Sequence, residues 1–165
     1  MGSNPYQAPQ TTVADVASHG GTELATRSSR LTAIFLDGLI LAAIWVPILF
    51  GTGYWQKAMA NALSTGSLLL YFVGGFALFV LVQGWPLAQS AQTWGKKLLG
   101  IRIVHLDGSQ PTLATLLLKR YLPIQVVSAI PLIGWIASLV DALFIFRDDR
   151  RCVHDLIAGT QVIKD

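Results

Sequence analysis

Apolar residues in this chain come in long unbroken runs, with polar residues collected between them, not in the spaced stripes of a soluble amphipathic helix. The first run, Leu31 to about Phe50, holds a single charge, Asp37. It matches the roughly 20 residues that cross a bilayer as a helix, and Gly51-Thr52-Gly53 ends it. A second run covers about Ser67 to Trp85, and the short loop between the two has Lys57 as its only charge. The third region, Tyr121 to Phe146, is interrupted by Pro123, Pro131 and Gly134. It reads either as one kinked helix or as two shorter helices meeting near Pro131.

Two short segments carry strand character. Ile101-Arg102-Ile103-Val104-His105-Leu106 precedes an Asp107-Gly108 turn signal, and Thr160-Gln161-Val162-Ile163 lies near the far end. Either strand alone would leave its backbone groups unpaired, whereas pairing satisfies both and requires both on one membrane face. Residues 113–146 are therefore favoured as a helical hairpin, spanning or re-entrant, with both termini on one side. The expected fold is an all-α membrane protein: a small helical bundle of two long spans plus a helical hairpin or kinked third span, with a short cytoplasmic β element. Residues 1–29, rich in Gly, Pro, Ser, Thr and Gln, read as a disordered cytoplasmic tail, and residues 30–165 as the membrane domain. The tail has no basic start followed by an apolar core, so it is not a signal peptide.

Composition strengthens the membrane reading. Only 13% of the 165 residues are charged, against about 25% in an average soluble domain. Cys152 is the only cysteine, which excludes an intrachain disulfide and a multi-cysteine metal site. The net charge of +3 is spread among loops, without the dense basic helix of a nucleic-acid binder. Lys96, Lys97, Arg102, Lys119 and Arg120 place segment 87–120 in the cytoplasm by the positive-inside rule. Arg27 and Arg30 place the amino terminus there too, and Arg147, Arg150, Arg151 and Lys164 the carboxyl tail.

Candidate chemistry rests on the embedded carboxylates, because a charge in hydrocarbon persists where it has a partner or a task. Asp37 stands seven residues after Arg30, on nearly the same helix face and roughly 10 Å deeper. Arg30 can snorkel to the headgroups, which Asp37 is too short to do. Asp37 shares its face with Ala33 and Leu41, with Gly38 and Ala42 beside it as a close-packing surface. Asp141 has a small-residue stripe of Gly134, Ser138 and Ala142 beside it. Facing each other, Asp37 and Asp141 would share a proton or hold a cation such as sodium. Alternatively, either is salted to Lys119 or Arg120 and only fixes helix docking. Lys96, Lys97, Arg150 and Arg151 are assigned to anionic lipid headgroups. Cys152, His154 and Asp155 lack the second base and oxyanion pattern of a catalytic site. No enzyme activity, cofactor or metal site is expected.

These residues resemble the RDD family, named for one arginine and two aspartates. Arg30-Leu31-Thr32-Ala33-Ile34-Phe35-Leu36-Asp37 is similar to its first helix. Gly95 to Val104 followed by Asp107-Gly108, with Arg120 further on, is similar to its middle segment, and Arg151 to Val162 to its closing motif. The second family aspartate corresponds to Asp141 or to Asp155. The resemblance covers about residues 28–163 and implies an inner-membrane protein linked to transport, sodium/proton antiport being described for some members. It makes Arg30 and Asp37 the foremost functional pair, with Asp141 and Asp155 as further candidates, and Arg120 and His154 in support. A chain this small would transport as a homo-oligomer. The other class of function is a non-transporting membrane adaptor that recruits a protein partner through Asn4-Pro5-Tyr6 in the tail and the cytoplasmic strands.

Overall fold

The structure, a computed structural model, describes residues 23–130 and 133–165. Helix α1, Arg27–Gly51, and helix α3, Thr65–Ser90, are long and apolar enough to cross a membrane. Their starts are capped by the hydroxyls of Thr26 and Ser64, which accept from the amides of Ser29 and Ser67. The short helix α2, Tyr54–Met59, turns the chain between them. Where α1 and α3 meet, the Trp45 ring lies against Gly74 and Gly75, and a Cβ at either glycine would stand 3.1 or 3.5 Å from it. Large apolar side chains on both helices face outward, Phe35 and Leu81 among them.

Two of the prolines inside helices have a local consequence. Pro86 removes an amide from α3 and turns its ring against the carbonyl of Val82. That freed carbonyl accepts the indole N–H of Trp94 at 2.8 Å, which fixes the following helix α4, Trp94–Leu98, against α3. Pro123 acts similarly on the carbonyl of Lys119. The helix that begins as α5, Leu113–Thr115, widens into a π-helical stretch, Leu116–Tyr121, before resuming as α6, Leu122–Ser128.

The third apolar region is a hairpin. Helix α6 packs against α7, Ile133–Leu143, which ends in a 3₁₀ turn, Phe144–Phe146. The small-residue stripe forms this packing face: a Cβ on Gly134 would lie 2.3 Å from the Ser128 carbonyl, and the hydroxyls of Ser128 and Ser138 are 3.0 Å apart. Gln125, Val126, Ser128 and Ala129 share a groove with Tyr54 and Thr65, so the hairpin tip reaches the level of the α2–α3 turn. Pro131, expected to mark the bend, lies outside the described residues.

Strands β1, Ile101–His105, and β2, Thr160–Lys164, pair antiparallel, with Ile103 opposite Val162, as the two strand signals required. Helix α8, Val153–Ala158, leads into β2 through Gly159, whose φ of +63° sets the left-handed exit. One boundary differs from expectation. Leu24 bridges to Ile163, the amide of Ala25 donates to the Val162 carbonyl at 3.0 Å, and Ala25 is fully buried. The folded unit thus includes residues 23–29, which the polar composition had assigned to the tail, because β2 offers a free edge that a short extended segment satisfies. The Asn4-Pro5-Tyr6 segment lies outside the described residues.

Candidate functional site

Three elements from distant parts of the sequence converge on the Asp155 carboxylate at the sheet end of the bundle. Arg30, one turn into α1, and Arg120, on the π-helical stretch, each make an ion pair with it. The side chains of Arg30 and Arg120 are 5% and 1% exposed and that of Asp155 is 0%, so the cluster is withdrawn from solvent. Asp155 also accepts from the amide of Cys152 at 3.1 Å, closing a capping box at the start of α8. Arg30 extends further, donating to the Arg150 carbonyl and to the Cys152 sulfur at 3.5 Å. Arg120 donates to the Thr160 hydroxyl at 2.6 Å, while its Nε has no partner among the described residues. Burial opposes ionisation of Asp155. The charges of Arg120 and Arg30 outweigh it and hold the carboxyl far below the usual carboxylate range.

This geometry replaces two expectations. Arg30 does not snorkel: its guanidinium is fixed inside the fold by Asp155. Arg120 pairs with Asp155, not with Asp37 or Asp141. Asp155 is the aspartate through which α1, the π-helical stretch and α8 are joined, so the closing motif supplies the partner of Arg30. Arg30→Lys is expected to destabilise the protein by about 1.5–3 kcal/mol, the worth of a lost charge-assisted hydrogen bond. An ammonium cannot reproduce the planar fork that reaches Asp155, Cys152 and Arg150 together. A lowered thermal midpoint in detergent checks this.

Asp37 has a different environment. Its carboxylate accepts from the Gln83 amide at 3.0 Å, from the Thr93 hydroxyl, and from the backbone N–H of Gly95 at 2.8 Å. Gln83, 0% exposed, also accepts from the Trp94 amide at 2.9 Å, so it joins α1, α3 and α4. Close approach to α1 occurs at Gly95, where a Cβ would lie 2.3 Å from the Ala33 carbonyl; Gly38, expected to provide it, has open space around it. All donors to Asp37 are neutral, and among the described residues it makes no ion pair.

Asp141 is held by His154. It accepts from the His154 amide at 3.0 Å, and His154 Nδ1 stands 2.7 Å from Oδ2. Asp37 and Asp141 are therefore held by separate partner sets and are not hydrogen-bonded to each other. Arg120 can only donate, so His154 Nε2, 3.2 Å from its Nη2, accepts and the ring proton sits on Nδ1, directed at Asp141. Burial and then the Arg120 charge push the His154 pKa down, against the pull of Asp141. Burial pushes the Cys152 thiol up to about 11. Cys152 as a residue is 1% exposed, so it is no accessible handle for thiol labelling of the folded protein.

Of the four headgroup candidates, Lys97 alone is exposed, with its ammonium 5.3 and 5.7 Å from the Trp85 and Trp94 rings. Lys96 is 7% exposed. Arg150 donates to the Leu24 and Ala25 carbonyls, and Arg151 to those of Thr160 and Asp155. Short segments that end at this face leave carbonyls needing donors, and these side chains supply them. Gln83, Thr93, Gly95 and Thr160 were not anticipated. A glutamine near the end of an apolar run, followed by Thr-Trp-Gly at a helix start, is the signal that marks the first three.

Comparison with known proteins agrees with the motifs. A model of the RDD family matches residues 24–159. The uncharacterized protein YckC of Bacillus subtilis (strain 168) is 47% identical over 68 residues, which cover 41% of this chain and 44% of that relative's length. An uncharacterized protein of Haemophilus influenzae is 28% identical over 144 residues, covering 86% of this chain and 78% of its own. No solved structure matches.

Proposed function

The chain belongs to the RDD family, and we propose that it is an integral protein of the bacterial inner membrane that moves a cation or other small solute as an oligomer, with Asp37 as the cation- or proton-binding group. The observation that carries this reading is the contrast between the buried Asp155 and the half-buried Asp37. Asp155 is neutralised by two arginines, whereas Asp37, set in a long apolar helix, is held by neutral donors alone. The buried Lys96 ammonium reaches Asp37 only through the Thr93 hydroxyl, which leaves the carboxylate without a direct ion pair. A carboxylate in an apolar helix marks a candidate ion or proton site. Arg30 serves the fold here, and Asp141 belongs with His154. Both termini are cytoplasmic in this reading: basic residues crowd the sheet end, and Lys57 stands at the opposite turn.

The test is reconstitution in liposomes, with internal pH followed during a sodium pulse. Asp37→Asn is expected to abolish exchange while leaving the fold intact, because an amide oxygen still accepts from Gly95 and the Thr93 hydroxyl can reverse and accept from the amide nitrogen. Absence of exchange in well-folded wild type would remove sodium/proton antiport. A second reading, a non-transporting membrane adaptor, draws on the Leu24–Ile163 bridge, which anchors the chain just after the Asn-Pro-Tyr tail at the sheet. Removing residues 1–22 would abolish partner capture by an adaptor and spare exchange by a transporter. The cut belongs before Glu23, since residues 23–25 are part of the fold.

A further inference from the structure

We propose that Asp141, Cys152 and His154 form a binding site for a divalent transition-metal cation of the zinc class, separate from the Asp37 site. A carboxylate oxygen, the Cys152 sulfur and a His154 ring nitrogen all lie within 4.8 Å of one another. Zinc holds sulfur at about 2.3 Å and nitrogen or oxygen at about 2.0–2.2 Å, so three tetrahedral ligands stand roughly 3.3–3.8 Å apart. Small side-chain adjustments connect the two arrangements, because the backbone is already set. The His154 amide holds Asp141 through Oδ1, while Oδ2, which accepts from the His154 ring in the metal-free site, can turn to an ion once that ring proton moves. Cys152 and His154 stand at the N-cap and in the first turn of α8. The side chains of Asp141 and His154 are each 13% exposed, which opens a fourth position to solvent.

The surroundings can accommodate a metal, with Asp155 answering the neighbouring Arg30 and Arg120 guanidiniums. Ionised Asp141 and Cys152 together supply two negative charges, the complement of a divalent cation. Arg30 Nη2, 3.5 Å from the sulfur, is placed to steady a thiolate. A ligating histidine commonly donates its other ring N–H to a carboxylate, and Asp155 Oδ1 lies 3.9 Å from His154 Nε2. On binding, the ion bonds to Sγ, Nδ1 and Oδ2. The thiol proton leaves to solvent, and the imidazole stays neutral as its proton passes from Nδ1 to Nε2. There it turns from Arg120 towards Asp155, while Arg120 keeps Asp155 and Thr160. One proton is released per ion. Sulfur and imidazole select zinc, cobalt or copper over sodium, magnesium and calcium, which take oxygen ligands.

The experiment is a titration of tag-free, chelator-treated, full-length protein in detergent with Co²⁺. The expected result is one equivalent bound, with a sulfur-to-cobalt charge-transfer band in the near ultraviolet and tetrahedral d–d bands, both displaced by Zn²⁺. Cys152→Ser should remove the charge-transfer band, and Asp141→Asn and His154→Gln should each weaken binding at least about tenfold. Folded wild type that shows no charge-transfer band, or a band that survives in Cys152→Ser, overturns the proposal without reliance on any variant that fails to fold. The outcome is independent of exchange: Co²⁺ binding without sodium-driven pH change leaves this site standing.

Discussion

Asp155→Ala is expected to prevent assembly of the domain or to lower its thermal midpoint in detergent by about 10 °C or more, the scale of a 3–5 kcal/mol loss in a chain of this size. The reason is asymmetry. A buried ion pair contributes little net stability when intact, because desolvation offsets the Coulomb gain, yet removing one partner leaves the other charge buried and unpaired. Here one carboxylate answers two guanidiniums, so its loss strands both Arg30 and Arg120. Asp155→Asn should be nearly as harmful. One end of the amide would present N–H groups to a guanidinium or to the Cys152 amide, donor against donor. Asp149→Asn is the control. Its pair with Arg147 is exposed, and its loss should cost under about 1 kcal/mol. Because Cys152 is buried, a thiol-reactive dye reports unfolding, with tryptophan fluorescence as a second probe. Equal midpoints for Asp155→Ala and Asp149→Asn would refute the role given to the cluster.

The outline of the fold was legible because its signals are local. Two unbroken apolar runs, the interruptions at Pro123 and Gly134, and the strand at Ile101 each announce an element within a few residues. Pairing of β1 with β2 followed from the requirement that backbone groups be satisfied. The site was legible in its members and not in its pairings. Arg30, Asp37, Arg120, Asp141, His154 and Asp155 all stand out as charges near apolar sequence, but partners 13 to 125 positions apart on different elements cannot be matched by spacing. Arg30 was matched by position with Asp37, two turns further along the same helix, whereas the fold brings Asp155 to it from the far end of the chain. Neutral partners were harder still. Gln83 and Thr93 carry no charge to draw notice, and their importance arises only when α3 and α4 meet around Asp37. The edge of β2 drew residues 23–25 into the fold for a similar reason, since nothing in Glu23-Leu24-Ala25 itself marks a strand.

Gly95→Ala is the second substitution with a large expected effect, about 1–3 kcal/mol of destabilisation by overpacking. Its new methyl would stand 2.3 Å from the Ala33 carbonyl and 3.0 Å from the Asp37 carboxylate, and backbone cannot yield as a flexible side chain can. Helix α4 must lift, which breaks the Gly95 N–H bond to Asp37 and draws Thr93 and Trp94 away from α1 and α3. Gly38→Ala is the internal comparison. It lies in the same helix as Asp37 with nothing near the added carbon, and it should be neutral or stabilising by up to about 1 kcal/mol, the helix-propensity gain over glycine. Opposite shifts of the thermal midpoint for these two glycine-to-alanine changes would locate the close approach at Gly95. Combination with Asp37→Ala sharpens the test. If Asp37 and Gly95 act through one docking contact, the double variant should lose less than the sum of the single losses, because each alone already frees α4. Strict additivity would mean that the two residues stabilise the protein independently, and the seat of α4 on α1 would then rest on other contacts.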